Sequence, residues 1–314
     1  AIPALESAAR DLSRSDARYL ECISTLSGAL SARHAQTGRH SDIERAVTLA
    51  IEAVTLADRI AGSRLDEYYL RAGAALADKY ESTGDGQSLI DAVAYFRDAL
   101  AATERRGGAV SGRCADLARA LLMKYRRWAQ AADLDEAGYL YRRAIDELPI
   151  GHHEIASHKS GLGGVLSIRY EHYGDSGDLT PAVELLSEAY DLTDAGDPAR
   201  LIRLGRLADS LLVRFGHYLA EEDLDRAIEL LELGLQGPFV NPPMLASVQV
   251  GLAGALRTRG LHRGEVADLR RSQQLLLDVA AQSVPTAQRD ASLDFNLASL
   301  HRDIYSFTRE STDL

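Results

Sequence analysis

Apolar and polar positions recur along this chain with a period of about 45 residues. Aligning the apolar segments gives a first column that contains His34, Tyr80, Tyr125, Tyr170, Phe215, Gly260 and Tyr305. A second column keeps the same steps, 46 residues once and 45 residues five times, and contains Ile43, Leu89, Leu134, Leu179, Leu224, Leu269 and Leu314. Because two independent columns hold one register over six intervals, the sequence predicts an array of internal repeats.

Within each repeat the apolar spacing predicts two helices joined by a loop. In the first helix an apolar residue is followed four residues later by a leucine, as in Leu26 and Leu30, which places both on one helical face. The second helix is predicted to begin beside an aspartate such as Asp42, whose carboxylate can accept hydrogen bonds from free first-turn amides. Glycine and proline clusters such as 106–108 separate the repeats.

Small residues recur at two positions of the second helix. They are Ala46, Ala92, Ala137, Ala182 and Ala227, followed seven residues later by Ala53, Ala99, Ala144, Ala189 and Gly234. Two helical turns separate the two positions, so both lie on one face and allow neighbouring helices to approach closely. Small residues of the first helices are interpreted in the same way; they are Gly28, Ala74, Gly164 and Gly254.

The pairs Leu117-Ala118 and Leu162-Gly163, followed by the two small positions of the next helix, resemble the tetratricopeptide repeat signature. The unit here is longer than the usual length of about 34 residues. Segments such as LADKYESTGDGQSLIDAVAYFRDAL are similar to extended tetratricopeptide-like arrays of actinobacterial and fungal proteins. Such arrays often accompany a CHAT peptidase or a nucleotide-binding signalling domain. The resemblance implies an all-α, right-handed α-solenoid of helix-turn-helix repeats.

The register divides the chain into one array with partial repeats at both ends. The predicted bounds are 1–18 (a second helix only), 19–64, 65–109, 110–154, 155–199, 200–244, 245–289 and 290–314 (a partial seventh repeat). Solenoid ends normally carry polar caps. We therefore expect either that the array continues in a longer protein or that its open ends pair with another chain.

Composition narrows the function. Acidic residues number 46 against 35 basic ones, and a net charge of -11 argues against a surface that follows nucleic-acid phosphates. Cys22 and Cys114 are too few and too far apart for a disulfide framework or a thiolate zinc site, and they fit a reducing compartment. No apolar run approaches the roughly 20 residues of a membrane span, and residues 1–4 do not resemble a secretory leader. We expect a cytoplasmic protein without nucleic-acid or membrane partners.

Motifs that resemble enzyme signatures are interpreted as products of the repeat. His153 and His158 are five residues apart, so they diverge around a helix instead of sharing one metal. The glycine-rich run 160–164 imitates a phosphate loop but falls inside a first helix, where it is interpreted as helix packing. A histidine column is interpreted as cations beside helix C-termini; it contains His172, His217 and His262. We therefore expect no catalytic, metal-binding or cofactor-binding residues and no cofactor.

Another column is basic in six consecutive repeats and contains Arg33, Lys79, Lys124, Arg169, Arg214 and Arg259. One hypothesis makes it a ladder for an acidic peptide or phosphate. The favoured hypothesis is structural, because an aspartate follows nine residues later in five repeats and can brace the two helices. These aspartates are Asp42, Asp133, Asp178, Asp223 and Asp268.

Three large aromatics, Trp128, Tyr173 and Tyr218, occupy a column that holds Thr37 and Thr83 in the first two repeats. One interpretation is that they fill the long interhelix loop. The alternative is a contact surface, since amphipathic aromatics are favoured anchors at interfaces.

By analogy with tetratricopeptide arrays, a groove would be lined from positions two and five residues either side of the first-helix Leu/Ala column. The projected set is Glu21, Glu67, Leu70, Arg119, Leu122, Ile202, Asp209, Leu212, Val250, Arg257, Phe295 and Arg302. The partner-binding candidates are Trp128, Tyr173, Tyr218, Arg119, Asp209, Arg257, Phe295 and Arg302. The favoured function is a non-catalytic scaffold or sensor for a protein or peptide, acting as a regulatory segment of a larger bacterial protein. The alternatives are a self-assembling homo-oligomerisation module and an enzyme with a pocket inside the superhelix.

Overall fold

The computed structural model describes residues 1–59, 64–237, 242–282 and 291–309. Within these ranges the chain forms fourteen α-helices and one 3-10 turn, Ser176–Asp178, and no strand. The helices are α1 Ile2–Asp11, α2 Ala17–Thr37, α3 His40–Ala57, α4 Leu65–Thr83, α5 Gly86–Arg105, α6 Ser111–Trp128, α7 Ala131–Asp146, α8 Ile155–Tyr173, α9 Leu179–Asp191, α10 Ala199–Tyr218, α11 Glu221–Leu235, α12 Pro242–Arg263, α13 Val266–Gln282 and α14 Ala291–Thr308. The prediction of an all-α solenoid is confirmed.

Neighbouring helices contact each other in chain order. The residues group into two compact units, Ala1–Val165 and Leu166–Leu314. In the first unit the consecutive helices from α1 to α7 contact one another in turn, and α2 also contacts α4. In the second unit the consecutive helices from α9 to α14 do the same, and α10 also contacts α12. Each unit is thus a stack in which first helices of successive repeats contact each other. The exact bounds of the repeats stay a prediction. Leu314, the last member of the second column, lies outside the described residues.

The small residues of the two helices have different environments. In the second helices a Cβ added to Gly234 would lie 3.1 Å from the Leu201 side chain, so the predicted close packing is confirmed there. In the run 160–164, a Cβ on Gly161 would lie 2.4 Å from the Tyr141 ring, which confirms helix packing at Gly161. For three first-helix glycines the close-packing interpretation is wrong, because an added Cβ would meet nothing within 4 Å; these are Gly28, Gly164 and Gly254.

Seven residues with positive φ recur at the ends of the first helices, a feature that the sequence patterns did not reveal. They are Gly38, Gly84, Ala129, Gly174, Leu219, Gly264 and Arg309, again with one step of 46 and five of 45 residues. The left-handed conformation is costly for residues that carry a Cβ, which explains why glycine occupies four of the seven positions. It turns the chain from the first helix into the interhelix loop at the same point of each repeat.

Ion pairs between the basic column and the aspartates brace the two helices, as the favoured hypothesis predicted. Arg33 binds Asp42 through hydrogen bonds of 2.6 and 2.7 Å, and Lys124 lies 2.7 Å from Asp133. The pairs Arg169–Asp178, Arg214–Asp223 and Arg259–Asp268 repeat this arrangement. In the second repeat, which lacks that aspartate, Lys79 pairs at 2.9 Å with Glu44 of the preceding repeat.

The expectation that Asp42 caps its helix is wrong. Asp42 is the third residue of α3, and its carboxylate is held by Arg33, whose hydrogen bonds lower the pKa of that carboxyl group. Capping falls to residues nearer the helix start. Asp85 accepts the Gln87 N–H at 3.1 Å before α5.

Candidate functional site

The first helices of repeats 1 and 2 line an open cavity of about 540 Å³ within the first unit. Its floor consists of small side chains from α2 and α4, and the lining residues are Ser27, Gly28, Ser31, Ala32, His34, Ala35, Arg71, Ala74, Ala75, Asp78, Glu81 and Ser82. The open space beside Gly28 is part of this cavity. A partner's main chain can therefore approach the helices closely.

Two charged residues of α4, Arg71 and Asp78, line different parts of this cavity. Arg71 donates a 3.3 Å hydrogen bond to the Ser24 carbonyl oxygen, which anchors its guanidinium at one end. Asp78 lies two turns further along α4. Partial desolvation by the surrounding protein raises the pKa of Asp78, against the opposing effects of the Ser31 hydroxyl and the Arg119 charge. A cation placed beside Asp78 would offset this desolvation.

Arg119 lies beside acidic residues of the same unit. Its guanidinium is 3.2 Å from the Asp116 carboxylate on α6, and its charge also acts on Asp78. Burial raises the pKa of Asp116 as well, with Arg119 opposing that effect. The candidate Arg119 thus contacts the Asp116 carboxylate and acts on Asp78 through its charge, and the projection missed both carboxylates.

Two further candidates in the second unit converge on one carboxylate. Arg257 binds Asp303 with an Nε–Oδ2 distance of 2.7 Å, and Arg302 lies 3.7 Å from the other oxygen of the same group. The Arg257 charge is therefore largely balanced inside the array. Phe295, on the same helix as Arg302, is 70% exposed.

Asp209 on α10 is set in acidic surroundings. Burial raises its pKa most strongly, and the negative charge of Glu171 raises it further. The hydroxyls of Ser167 and Ser210 lie 2.7 Å apart and join α8 to α10 in this region. The structure thus places Asp209 where it can accept a cationic group, although it is separate from the Arg257–Asp303 pair.

The aromatic column makes contacts with the interhelix loop of the preceding repeat. A Cβ added to Gly86 would lie 3.0 Å from the Trp128 ring, and the Tyr218 hydroxyl donates at 3.4 Å to the Ser176 carbonyl oxygen. Both contacts span 42 residues. Arg263, in the same column one repeat later, makes the equivalent contact to Glu221 at 2.6 Å. This favours the loop-filling interpretation, but Trp128 stays 37% exposed and Tyr173 and Tyr218 each 51% exposed, so their outer faces remain accessible.

Two histidines of the column that contains His172 contact aromatic residues of the preceding repeat. His217 accepts or donates at 3.0 Å with the Tyr170 hydroxyl, and His262 lies edge-on to the Phe215 ring. In the part of the chain that the structure describes, no three His, Cys, Asp or Glu side chains are arranged to hold a metal ion. Cys114 is buried, and desolvation raises its thiol pKa to about 11.

His158 and Ser111 form a contact that resembles a catalytic pair. The Ser111 hydroxyl donates to the Ala144 carbonyl oxygen at 2.7 Å, which leaves its lone pairs to accept from His158 Nε2 at 3.1 Å. Both side chains are buried. The Ser111 hydroxyl thus accepts a hydrogen bond from His158 and does not give up its own proton to the ring, so the contact joins α6, α7 and α8 without activating a nucleophile.

None of the described helices combines the length and the apolar character needed to cross a bilayer.

No family model and no curated protein matches the chain. Among solved structures, BtubC from P. vanneervenii is 18% identical, with a TM-score of 0.50 and coverage of 79% of this chain and 96% of that one. Nro1 of S. pombe, a hypoxic regulator of sterol synthesis and nuclear import adaptor, is 15% identical, with a TM-score of 0.50 and coverage of 95% and 99%. At this identity the likeness shows the fold alone, an all-α array of helix pairs.

Proposed function

We propose that the chain is a protein-binding array whose cavity between α2 and α4 takes an extended segment of a partner. The observation that carries this proposal is the cavity itself, with its floor of small side chains and its charged groups at fixed heights. Small residues permit close approach of a main chain, and the charged groups supply direction and selectivity.

The charges indicate which segment fits. Seven residues of helix separate Arg71 from Asp78, which corresponds to about 10 Å along α4. An extended chain covers that distance in about three residues. The proposed ligand therefore carries an acidic side chain near Arg71 and a basic one near Asp78, about three residues apart.

We also propose that the array performs no chemistry of its own. The Cys114 thiol is buried with a raised pKa, and the Ser111–His158 contact has the proton on the wrong side for nucleophilic activation. An enzyme with a pocket inside the array remains the alternative. Turnover of a small molecule that binds the α2–α4 cavity would favour it.

Filling the cavity tests the binding proposal. A peptide selected from a displayed random library would be titrated against wild-type protein, Gly28→Leu and Asp78→Asn. Leucine at position 28 enters open space, so the melting temperature should hold while affinity falls at least tenfold. Gly254→Leu is the matched control, since it adds the same side chain to open space on α12, outside the cavity. Unchanged affinity in Gly28→Leu would refute the cavity as the binding site.

The resemblance of the repeats supports a finer proposal, that this array is a regulatory arm of a larger bacterial cytoplasmic protein beside a CHAT peptidase or nucleotide-binding signalling domain. The full reading frame tests it directly. Self-assembly is the rival function, and the exposed Phe295 on α14 favours it. Light scattering on wild type and Phe295→Asp would detect assembly and its loss.

A further inference from the structure

An apolar surface projects from the second unit where first helices end. It consists of Tyr173, Tyr218 and Leu219, which are 51%, 51% and 60% exposed. The Tyr218 hydroxyl is tied to the Ser176 carbonyl oxygen, so the end of α10 lies against the loop that follows Tyr173. The Ser167–Ser210 contact keeps α8 and α10 side by side. We call these three residues the edge surface.

Leu219 combines an unfavourable backbone conformation with an exposed apolar side chain. Its φ of 55° lies in the left-handed region, where Gly174 and Gly264 stand in the repeats before and after it. A branched side chain there strains the backbone, and its exposure forgoes the benefit of burial. The fold needs the left-handed turn at this position but not a leucine side chain, and a partner that covers Leu219 would recover the burial.

The two segments that carry the edge surface have an excess of acidic residues. Segments 171–177 and 216–222, which carry its three residues, contain four acidic residues and no lysine or arginine. The acids are Glu171, Asp175, Glu221 and Glu222. Glu221 is paired with Arg263, which also contacts Asp225, so the acidic charge of the rim rests on Glu171, Asp175 and Glu222. A positively charged partner is therefore complementary to this rim.

The spacing favours a helix as the partner. Packed helices lie about 10 Å apart, which sets the separation of equivalent residues in successive repeats. Two turns of a partner helix advance about 10.5 Å, so apolar residues seven apart can contact Tyr173 and Tyr218 together. Basic residues flanking that apolar stripe would then face Glu171 and Glu222.

We propose that the edge surface binds a cationic amphipathic helix of a partner protein, with Leu219 as an apolar anchor. This rests on the proposed binding function but uses a surface separate from the α2–α4 cavity. The partner's apolar stripe covers Tyr173, Tyr218 and Leu219, and its lysines or arginines lie against the acidic rim.

The probes are three synthetic 18-residue peptides: an amphipathic Leu/Lys helix, the same helix with Glu for Lys, and a scrambled Leu/Lys peptide of equal composition. Fluorescence anisotropy measures their binding to the full chain at physiological ionic strength. The Leu/Lys helix should bind, while the other two bind at least tenfold more weakly. Absence of binding by the Leu/Lys helix, or equal binding of the scrambled peptide, would overturn the proposal.

Leu219→Gly separates function from fold. Glycine relieves the backbone strain, so the melting temperature should rise while affinity for the Leu/Lys helix falls about tenfold. Ala129→Gly is the matched control, since it relieves the same strain in the first unit and should leave helix affinity unchanged. Equal affinity of Leu219→Gly and wild type would show that the edge surface is not the site.

Two further measurements separate this inference from its rivals. Gly28→Leu should weaken peptide binding at the cavity and leave binding of the Leu/Lys helix unchanged. The proposal for the cavity and the proposal for the edge surface can therefore fail independently. If sedimentation shows a dimer that Leu219→Gly converts to a monomer, the occupant is a second copy of this chain and the amphipathic-helix proposal is wrong.

Discussion

Arg214 holds the buried Asp223 carboxylate through two hydrogen bonds, Nε to Oδ2 at 2.8 Å and Nη2 to Oδ1 at 2.6 Å, across the loop between α10 and α11. The two helices of the repeat are thereby fixed relative to each other. The same bracing occurs in four other repeats, which makes it a property of the array and not of one site.

Removal of one partner of this pair should be costly. Arg214→Ala leaves the Asp223 charge buried without its guanidinium, and we expect a loss of about 3 kcal/mol in unfolding free energy. Replacing both residues by apolar ones, Arg214→Met with Asp223→Leu, should cost less than the single change. Urea denaturation measures both variants, and a double variant less stable than Arg214→Ala would contradict the bracing account.

Ala129 should respond in the opposite direction to a glycine of the same column. Ala129→Gly relieves a φ of 52° and should stabilise the fold by about 1 kcal/mol. Gly174→Ala introduces the same strain where φ is 70° and should destabilise it by a similar amount. The melting temperature should rise for Ala129→Gly and fall for Gly174→Ala. Shifts in the same direction would contradict the conclusion that both residues form the same left-handed turn.

His158 should make stability fall in mild acid. Burial lowers its pKa, with the charge of Glu154 opposing and that of His152 adding to the shift. The unfolded histidine has a pKa of about 6.5, so below that pH the unfolded state binds more protons than the folded state. Stability is therefore full above about pH 6.5 and declines as the pH falls towards the lowered folded pKa.

His158→Gln tests this dependence because it keeps a donor for Ser111 and removes the titration. Urea midpoints at pH 7.5, 6.5 and 5.5 should decline less steeply for the variant than for wild type. Parallel declines would assign the acid sensitivity to other groups.

Ala182 should not tolerate a large side chain. It is almost fully buried on α9, and Ala182→Phe should cost about 1–3 kcal/mol through overpacking. Thr180→Phe is the control, because Thr180 is exposed on the same helix. A melting temperature for Ala182→Phe equal to that of wild type would place position 182 outside the packed interface.

The sequence predicted the helix pairs and the bracing ions because both depend on spacing along one chain. The interval from Arg33 to Asp42 is fixed within a repeat, so periodicity is sufficient to pair them. The packing of the small residues was harder to predict. Gly28 and Gly234 look alike in sequence, yet one faces open space and the other packs against Leu201, because the position of the neighbouring helix decides.

The candidate sites were less predictable for the same physical reason. Arg257 was projected as a binding residue, but Asp303 in the following repeat takes its charge, a pairing that needs the contact between stacked helices. The projection of groove residues missed Arg71 and Asp78, because the face of α4 that lines the cavity is rotated by about one residue from the face that the projection selected. A search for charged residues at seven-residue spacing beside small ones would have found them.

Gly86 and Trp128 make neighbouring modules of this array non-interchangeable. The ring of one repeat occupies the space that any side chain at the start of the preceding repeat's second helix would need. Duplicating or shuffling 45-residue blocks would place that tryptophan against a different residue at each new junction. The order of the repeats is therefore constrained, because recombination within the array would change this contact at each new junction between repeats.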